Sequence, residues 1–319
     1  MKVTVVTPTN RPSGYRYALH ALSRQSMPPE EWELIIVDDY HKRGQVRREA
    51  ASMGMRNVRA VGSKRNHWRS NRLIANARNT GLIYARGELV AFLDDFCWVR
   101  PRWLEEHWRT HRRGYCMVGA GKVVEYVPGA YDDLDGYLTP RVGRGETEGA
   151  FTRNLASFKV SDTRGPSPVV DCSPGWFYTF NASAPLEKIV EINGFDEEYD
   201  LTSEEDVDLG MRLGRVGCRF WYRPDPDCTV FHVDHRKIDR DMRSLPRRYR
   251  EVSYEELRLR GKLDSDPDEV QLVLKERYGV KYDGSWGLHE RNARRSPVAN
   301  TVDGVKIFDL AEERSRLHG

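Results

Sequence analysis

The chain has 319 residues, 39% of them hydrophobic, and sets 51 Lys and Arg against 48 Asp and Glu for a formal charge of +3. That composition supplies a real core for one large domain, or one domain with an appendage, and excludes a natively disordered chain. The near-cancelled charge does not by itself announce nucleic acid or an anionic membrane as a partner, so local patches carry the argument.

Lys2-Val3-Thr4-Val5-Val6 opens the chain as a strand without a longer apolar signal core. No later stretch approaches the roughly 20 apolar residues of a membrane span, and a cytoplasmic location is expected. Cys97, Cys116, Cys172, Cys218 and Cys228 are scattered without a CxxC spacing and are odd in number, so reduced thiols are expected.

In chain order, a strand from Val3 to Thr7, an amphipathic helix from Tyr15 to Gln25 and a buried strand from Glu33 to Val37 form a βαβ opening. Asp38-Asp39 ends the second strand. Gln45 to Met53 reads as a helix, Val58 to Val61 as a short strand, and Asn71 to Tyr84 as a helix that stops near Gly87. The run from Glu88 to Leu93 is a buried strand that delivers Asp94-Asp95. Strands separated by helices predict a mostly parallel sheet, whose ligands gather beyond the carboxyl ends of the strands. Three polar ends meet that rule: Thr7-Pro8-Thr9-Asn10, Asp38-Asp39 and Asp94-Asp95.

From Val127 to Pro174 periodicity gives way to Gly, Pro, Arg and Asp, which predicts long loops. Order returns at Trp176 to Ala182, in helices from Leu186 to Ile192 and Glu205 to Val216, and in short strands from Arg219 to Tyr222 and Thr229 to His232. After His235 the composition shifts. Arg236 to Arg250 is basic, Tyr254 to Arg260 and Asp268 to Tyr278 read as helices, and the polar remainder has no assignable period. The expected organisation is a first domain over 1–235 and a basic, mainly helical extension over 236–319.

Two carboxylates at a strand end offer hard oxygen ligands to a divalent cation and the diphosphate it neutralises. Glu205-Asp206 at a helix start offers a base, since an aspartate with an ordinary pKa of about 3.9 is ionised at neutral pH. Each motif has a plainer alternative when read alone. Thr7 to Asn10 could be an ordinary loop, Asp38-Asp39 a helix N-cap, Arg78 a solvent-facing side chain and Asp94-Asp95 a surface turn. Ser203 to Asp206 could serve as cap and dipole complement, and Asp208 with Arg212 reads as a helix-face ion pair. His232 and His235 could be structural, Gly175-Trp176-Phe177 core, and the basic run a solvated helix face. Gly119-Ala120-Gly121-Lys122 lacks the upstream glycine and following Ser or Thr of a P-loop, and Val124 occupies the last glycine position of GxGxxG.

In order along the chain stand Val5-Val6-Thr7-Pro8-Thr9-Asn10-Arg11, Ile35-Ile36-Val37-Asp38-Asp39, Asn76-Ala77-Arg78-Asn79-Thr80-Gly81, Phe92-Leu93-Asp94-Asp95, Asn193-Gly194-Phe195-Asp196-Glu197 and Glu205-Asp206-Val207-Asp208-Leu209-Gly210-Met211-Arg212-Leu213. This ordered set resembles the family 2 glycosyltransferases with the GT-A fold over roughly residues 1 to 235. The resemblance implies an α/β fold with a mostly parallel sheet flanked by helices, a nucleotide-sugar-binding half over 1–100 and an acceptor-binding half over 101–235. It implies donor contacts from Thr7, Pro8, Thr9, Arg11, Asp38, Asp39, Arg78, Asn79 and Asp94, with an acid of the Asp38-Asp39 pair on the nucleobase and Arg78 on the diphosphate.

Asp94-Asp95 resembles the DXD motif that holds Mn²⁺ or Mg²⁺. Asp95 is then the direct ligand and Asp94 meets sugar, ribose or metal-bound water. His232, or else His235, completes the site. Phe96 and Cys97 stand where many relatives carry a third acid. Glu205-Asp206 resembles the ED motif, with Asp206 the general base of inverting members, and Gly175, Trp176 and Phe177 resemble the floor of the acceptor pocket.

The implied function is metal-dependent, inverting transfer of a sugar from a nucleoside diphosphate donor. UDP is the family habit, with GDP and dTDP open. The acceptor is a hydroxyl of a glycan, a protein or a modified nucleic acid. A nucleotide-sugar-binding module without turnover is the first rival, kept alive by Phe96. A nucleotidyltransferase is the second, disfavoured by the absence of a Gly-rich, Lys-bearing loop after the first strand.

Overall fold

Runs of Val, Ile and Leu place the central strands, and burial on both faces marks them as the middle of a covered sheet. The computed structural model describes residues 1–11, 14–39, 43–64, 74–124, 159–160, 162, 164–197, 205–233, 297–302 and 305–318. The first half runs β1 (Val3–Thr9), α1 (Tyr15–Leu22), β2 (Trp32–Asp38), α2 (Arg43–Ser52), β3 (Val58–Val61), α3 (Ile74–Tyr84) and β4 (Leu89–Leu93). It continues through β5 (Cys97–Val99), α4 (Trp103–His111), β6 (Tyr115–Gly119), β7 (Gly121–Val124), β8 (Lys159–Val160), β9 (Val169–Val170), β10 (Asn181–Pro185) and α5 (Leu186–Glu191). Then come α6 (Glu205–Arg215), β11 (Arg219–Arg223), β12 (Val230–Val233), the hairpin β13 (Thr301–Val302) and β14 (Val305–Lys306), and α7 (Leu310–His318).

Eight strands form one sheet in the order β3-β2-β1-β4-β10-β6-β11-β9. The pairs β2–β3, β1–β2, β1–β4 and β6–β11 are parallel, whereas β10 runs antiparallel between β4 and β6. Every residue of β1, β2 and β4 is buried. Strand alternation then divides the core. Val3, Val5, Leu34, Ile36, Leu89, Ala91 and Leu93 pack with α1 on one face. Val6, Ile35, Val37, Val90 and Phe92 pack on the other with α3, α5 and α6. A second sheet, β5-β12-β7-β8, stands beside the end of β4.

The helices approach the sheet closely where side chains are small. A Cβ on Gly81 of α3 would lie 2.4 Å from Val6 Cγ1. On α6, a Cβ at Gly210 would lie 2.3 Å from the Pro174 carbonyl oxygen and 2.5 Å from Phe177 Cβ. Gly→Ala inside a helix ordinarily stabilises by up to about 1 kcal/mol. At Gly210 overpacking reverses the sign, and Gly210→Ala is expected to cost about 1–3 kcal/mol in a denaturant melt. An unchanged or raised midpoint would contradict this packing.

Of the extension expected over 236–319, the described part packs on the sheet domain. Asn193 and Gly194 turn the chain with positive φ of 62° and 71°, a conformation that Gly and Asn adopt most readily. Asn193 Nδ2 donates to the carbonyls of Ala299 (2.9 Å) and Phe308 (2.6 Å), and its Oδ1 accepts from the Leu310 amide at 2.8 Å. Asn300 returns bonds to the carbonyls of Asn193 and Phe195, and the Arg314 guanidinium donates to the carbonyls of Leu82 in α3 and Ala85 just beyond it. The basic run and the helices expected between 236 and 278 lie outside the described residues. All five cysteines are free. Among the described residues no helix is long and apolar enough to cross a membrane.

Candidate active site

Parallel register assembles the polar edge. Val6 pairs with Phe92, so Thr9 and Asp95, each three residues further on, meet beyond the strands. Thr9 Oγ1 donates to Asp95 Oδ2 at 3.0 Å, and Arg11 Nη1 donates to Asp95 Oδ1 at 2.9 Å. Thr9 also pairs with Asp38. Thr7 and Pro8 are buried within β1, and Thr7 Oγ1 has no hydrogen-bond partner among the described residues. Asp38 is buried, while the exposed Asp39 accepts from the Ser63 amide at 2.9 Å and from the Ser63 hydroxyl.

The turn after Asp95 explains the phenylalanine in the acidic motif. Phe96 has φ 58°, its amide donates to the Gly14 carbonyl at 2.9 Å, and its ring lies in the core 5.7 Å from Tyr17. A Cβ on Gly14 would come within 2.6 Å of that ring and 2.8 Å of Asp95 Oδ2. Phe96 therefore shapes the backbone that presents Asp95, with its ring in the core.

Arg78 links the donor edge to α6. Its Nη2 donates to Asp94 Oδ1 at 2.9 Å, its Nη1 donates to Glu205 Oε1, and its guanidinium lies 5.6 Å over the Phe195 ring. Both Nη atoms of this buried side chain are thus engaged by carboxylates, a different arrangement from the diphosphate clamp expected from sequence. Asn79 is also buried. It donates to the Phe195 carbonyl (2.9 Å) and Glu197 (2.8 Å) and accepts from the Phe195 amide, fastening α3 to the Asn193–Glu197 turn.

Asp206 is partly exposed in the first turn of α6. Its Oδ2 accepts from both the amide (3.2 Å) and the hydroxyl (3.3 Å) of Thr179, and its Oδ1 accepts from the Val207 amide at 2.8 Å. Desolvation, and then the neighbouring Glu205 charge, push its pKa up to about 7, against the opposite pull of Arg78 and the two amides. A carboxyl poised near neutrality is the form a general base takes. Arg78, surrounded by acids, is held above its ordinary range despite burial.

The stretch before it is a one-turn helix, Pro174–Trp176, capped by Ser173 Oγ on the Gly175 amide at 3.2 Å. Gly175 is buried. Trp176 is half-buried with its ring edge-on to Tyr222. Phe177 is fully buried against Phe92 and Phe220, so it supports the floor from the core rather than facing a ligand. Half-buried Tyr178 and Phe180 stack at 6.3 Å. Arg164 braces this floor, donating to the carbonyls of Trp176 (3.0 Å) and Gly119 (2.8 Å) with its guanidinium over the Tyr178 and Tyr222 rings. Thr179 and Arg164 escaped the sequence reading because both act through contacts distant in sequence from irregular backbone, which leaves no period to follow.

His232 pairs with Cys97 in the β12–β5 ladder, beside the turn that follows Asp95. His235 lies outside the described residues. Among the described residues no group of three His, Cys, Asp or Glu side chains is gathered to hold a metal ion. The donor types at the edge nevertheless fit a hard divalent cation, because Asp94 and Asp95 offer only carboxylate oxygens. A cation there would compete with the Arg11 and Arg78 guanidinium groups that those carboxylates now meet.

A parallel sheet ending in Asp94-Asp95, joined by an antiparallel β10 and followed by a helix that opens on Glu205-Asp206, defines the GT-A fold. Residues 4–182 match the model of glycosyl transferase family 2, more than half of the chain, and the chain belongs to that family. It is 29% identical over 231 residues to validoxylamine A glucosyltransferase of Streptomyces hygroscopicus subsp. limoneus, covering 67% of this chain and 48% of the relative. The corresponding protein of S. hygroscopicus subsp. jinggangensis is 28% identical over 231 residues, with 67% and 52% covered. The match thus spans about half the length of these relatives. Among solved structures, S. aureus TarS superposes with TM-score 0.53 at 15% identity over 89% of this chain and 44% of TarS. The 1–349 fragment of TarS with UDP-GlcNAc gives TM-score 0.52 at 16% identity, over 92% and 79% of the two chains.

Proposed function

We propose that this chain transfers a sugar from a nucleoside diphosphate donor, UDP-sugar first, to a hydroxyl acceptor with inversion at the anomeric carbon. The observation that carries the reading is Asp206: partly exposed, fastened by Thr179, near neutral in pKa, and joined through Glu205 and Arg78 to Asp94 at the donor edge. The solved complexes of the TarS fragment with UDP and with UDP-GlcNAc favour UDP among the possible nucleotides.

In this reading the nucleotide lies over the ends of β1 and β2, near Thr9, Asp38 and Asp39. The acceptor lies over Trp176 and Tyr178, whose faces suit a sugar ring. Asp206 takes the acceptor's proton as its oxygen attacks, a contribution typically worth about 10²–10⁴ in rate. Asp95 and Asp94, with His232 or His235, would hold Mn²⁺ or Mg²⁺, which when bound neutralises charge on the departing diphosphate.

The test is a panel of UDP, GDP and dTDP sugars with Mn²⁺, following nucleoside diphosphate release with and without EDTA. Release from a UDP-sugar that EDTA abolishes is the expected result. Release indifferent to EDTA would remove the metal from the account. Donor binding without release, even with candidate acceptors present, would replace transfer by a binding module, and pyrophosphate release from a nucleoside triphosphate would replace it by nucleotidyl transfer.

A further inference from the structure

We propose that Thr179 is the positioning residue of the base, fixing Asp206 through Oδ2 and so assigning Oδ1 as the oxygen that receives the acceptor's proton. This rests on the reading of Asp206 as the general base. Thr179 is fully buried and presents two donors to one carboxylate oxygen, its amide at 3.2 Å and its hydroxyl at 3.3 Å. Among the described residues Oδ1 accepts one bond, from the Val207 amide at 2.8 Å, and so keeps a lone pair for a proton, whereas both lone pairs of Oδ2 face donors. Hydrogen bonds to a charged carboxylate oxygen disfavour protonation there. The proton is therefore steered to Oδ1, and the carboxyl plane is held while it arrives.

The surroundings make this clamp stiff. Gly210 and Gly214 let α6 lie directly on Pro174 and Phe177, so the helix carrying Asp206 and the stretch carrying Thr179 are in van der Waals contact. Among the described residues the other charged groups facing Asp206 are Glu205 on its own helix and Arg78 on α3, through which Asp94 is reached. Glu205 is committed to Arg78, and among the described residues Thr179 is the side chain that hydrogen-bonds the base. In the step itself the acceptor O–H bond breaks and its proton passes to Oδ1. The freed electron pair forms the bond to the anomeric carbon, and the carbon–oxygen bond to the diphosphate breaks with its electrons leaving on the nucleoside diphosphate.

The experiment compares kcat against pH for the full chain, Thr179→Val, Thr179→Ser and Asp206→Asn, with the donor that supports release. Valine removes the hydroxyl but keeps the amide, while serine keeps both. Loss of a donor to the charged form raises the base's pKa, so the acidic limb of Thr179→Val should move to higher pH. A shift of about one unit lowers kcat about tenfold where the limb is steep, and activity should return on the alkaline side. Thr179→Ser should follow the native profile. A native profile in Thr179→Val, or an equal loss at every pH that serine does not rescue, would overturn the proposal. If Thr179→Val does not fold, Thr179→Ala takes its place under the same criteria. An inactive Asp206→Asn beside a native Thr179→Val profile would sink only the role of Thr179. A fully active Asp206→Asn would sink the base itself.

Discussion

Asp206→Asn is expected to lower kcat by roughly 10²–10⁴-fold while donor affinity stays unchanged, because the amide keeps the shape but accepts no proton. The native enzyme should gain activity as pH rises through about 7, where desolvation and the Glu205 charge have placed this carboxyl. The same shift has a consequence for stability, with the sign set by linkage. The folded pKa stands above the unfolded value of about 3.9, so the native state holds the proton more tightly. That contribution is full below the unfolded pKa and is lost as pH rises through about 7. Asparagine cannot ionise. The variant should therefore melt above the native protein on the alkaline side of that value, and the gap should close on the acid side. Thermal melts at two pH values check this, and a gap independent of pH would contradict the raised pKa of this partly exposed carboxyl.

Arg78→Met is the second large effect. The guanidinium is buried and satisfies Asp94 and Glu205 together. Removing one partner of a buried ionic cluster leaves uncompensated charge and typically costs about 3–5 kcal/mol. The lower end is expected here, because the Asp94 side chain retains 29% exposure and water can reach it. Loss of Arg78 also removes a force that lowers the Asp206 pKa, so any residual activity should require higher pH. Lysine is not a rescue, since a single ammonium cannot reproduce the fork that spans both acids. Denaturant unfolding measures the cost, and a loss under about 1 kcal/mol would show that the cluster is solvated.

The first half of the fold was legible because its signals are periodic. Leu34 to Val37 and Leu89 to Leu93 are apolar runs ending in acids, and Val58–Val61 coincides with its predicted strand. α4 was not read because its inner face carries His107 and Thr110 beside Trp103 and Leu104. Burial holds His107 neutral by pushing its pKa down to about 3, and its Nδ1 meets the Ser183 hydroxyl at 2.8 Å. Strand β10, Asn-Ala-Ser-Ala-Pro, is buried without a hydrophobic pattern. Asn181 enters the core because its amide finds the carbonyls of Ala120 and Cys228. Such residues are placed by partners distant in sequence, which a local pattern does not encode.

The site divides in the same way. The strand-end acids and the acids of α6 were visible as motifs, and the structure places both, joined by Arg78. Their partners were not visible. Nothing local ties Thr179 to Asp206, or Asn79 to the Asn193–Glu197 turn, and the backbone conformation and buried ring of Phe96 are set by tertiary contact. Pattern gives the chemistry at chain positions where strands and helices end. The groups that hold those side chains in place come from tertiary contact.

The most direct test of the account is the anomeric configuration of the transferred sugar, read by proton NMR on the product formed with the donor that supports release. A single displacement with Asp206 as base predicts an inverted anomer. A retained anomer would contradict that mechanism, because it requires either a covalent intermediate or attack from the leaving-group face, and neither is served by a base placed where Asp206 stands.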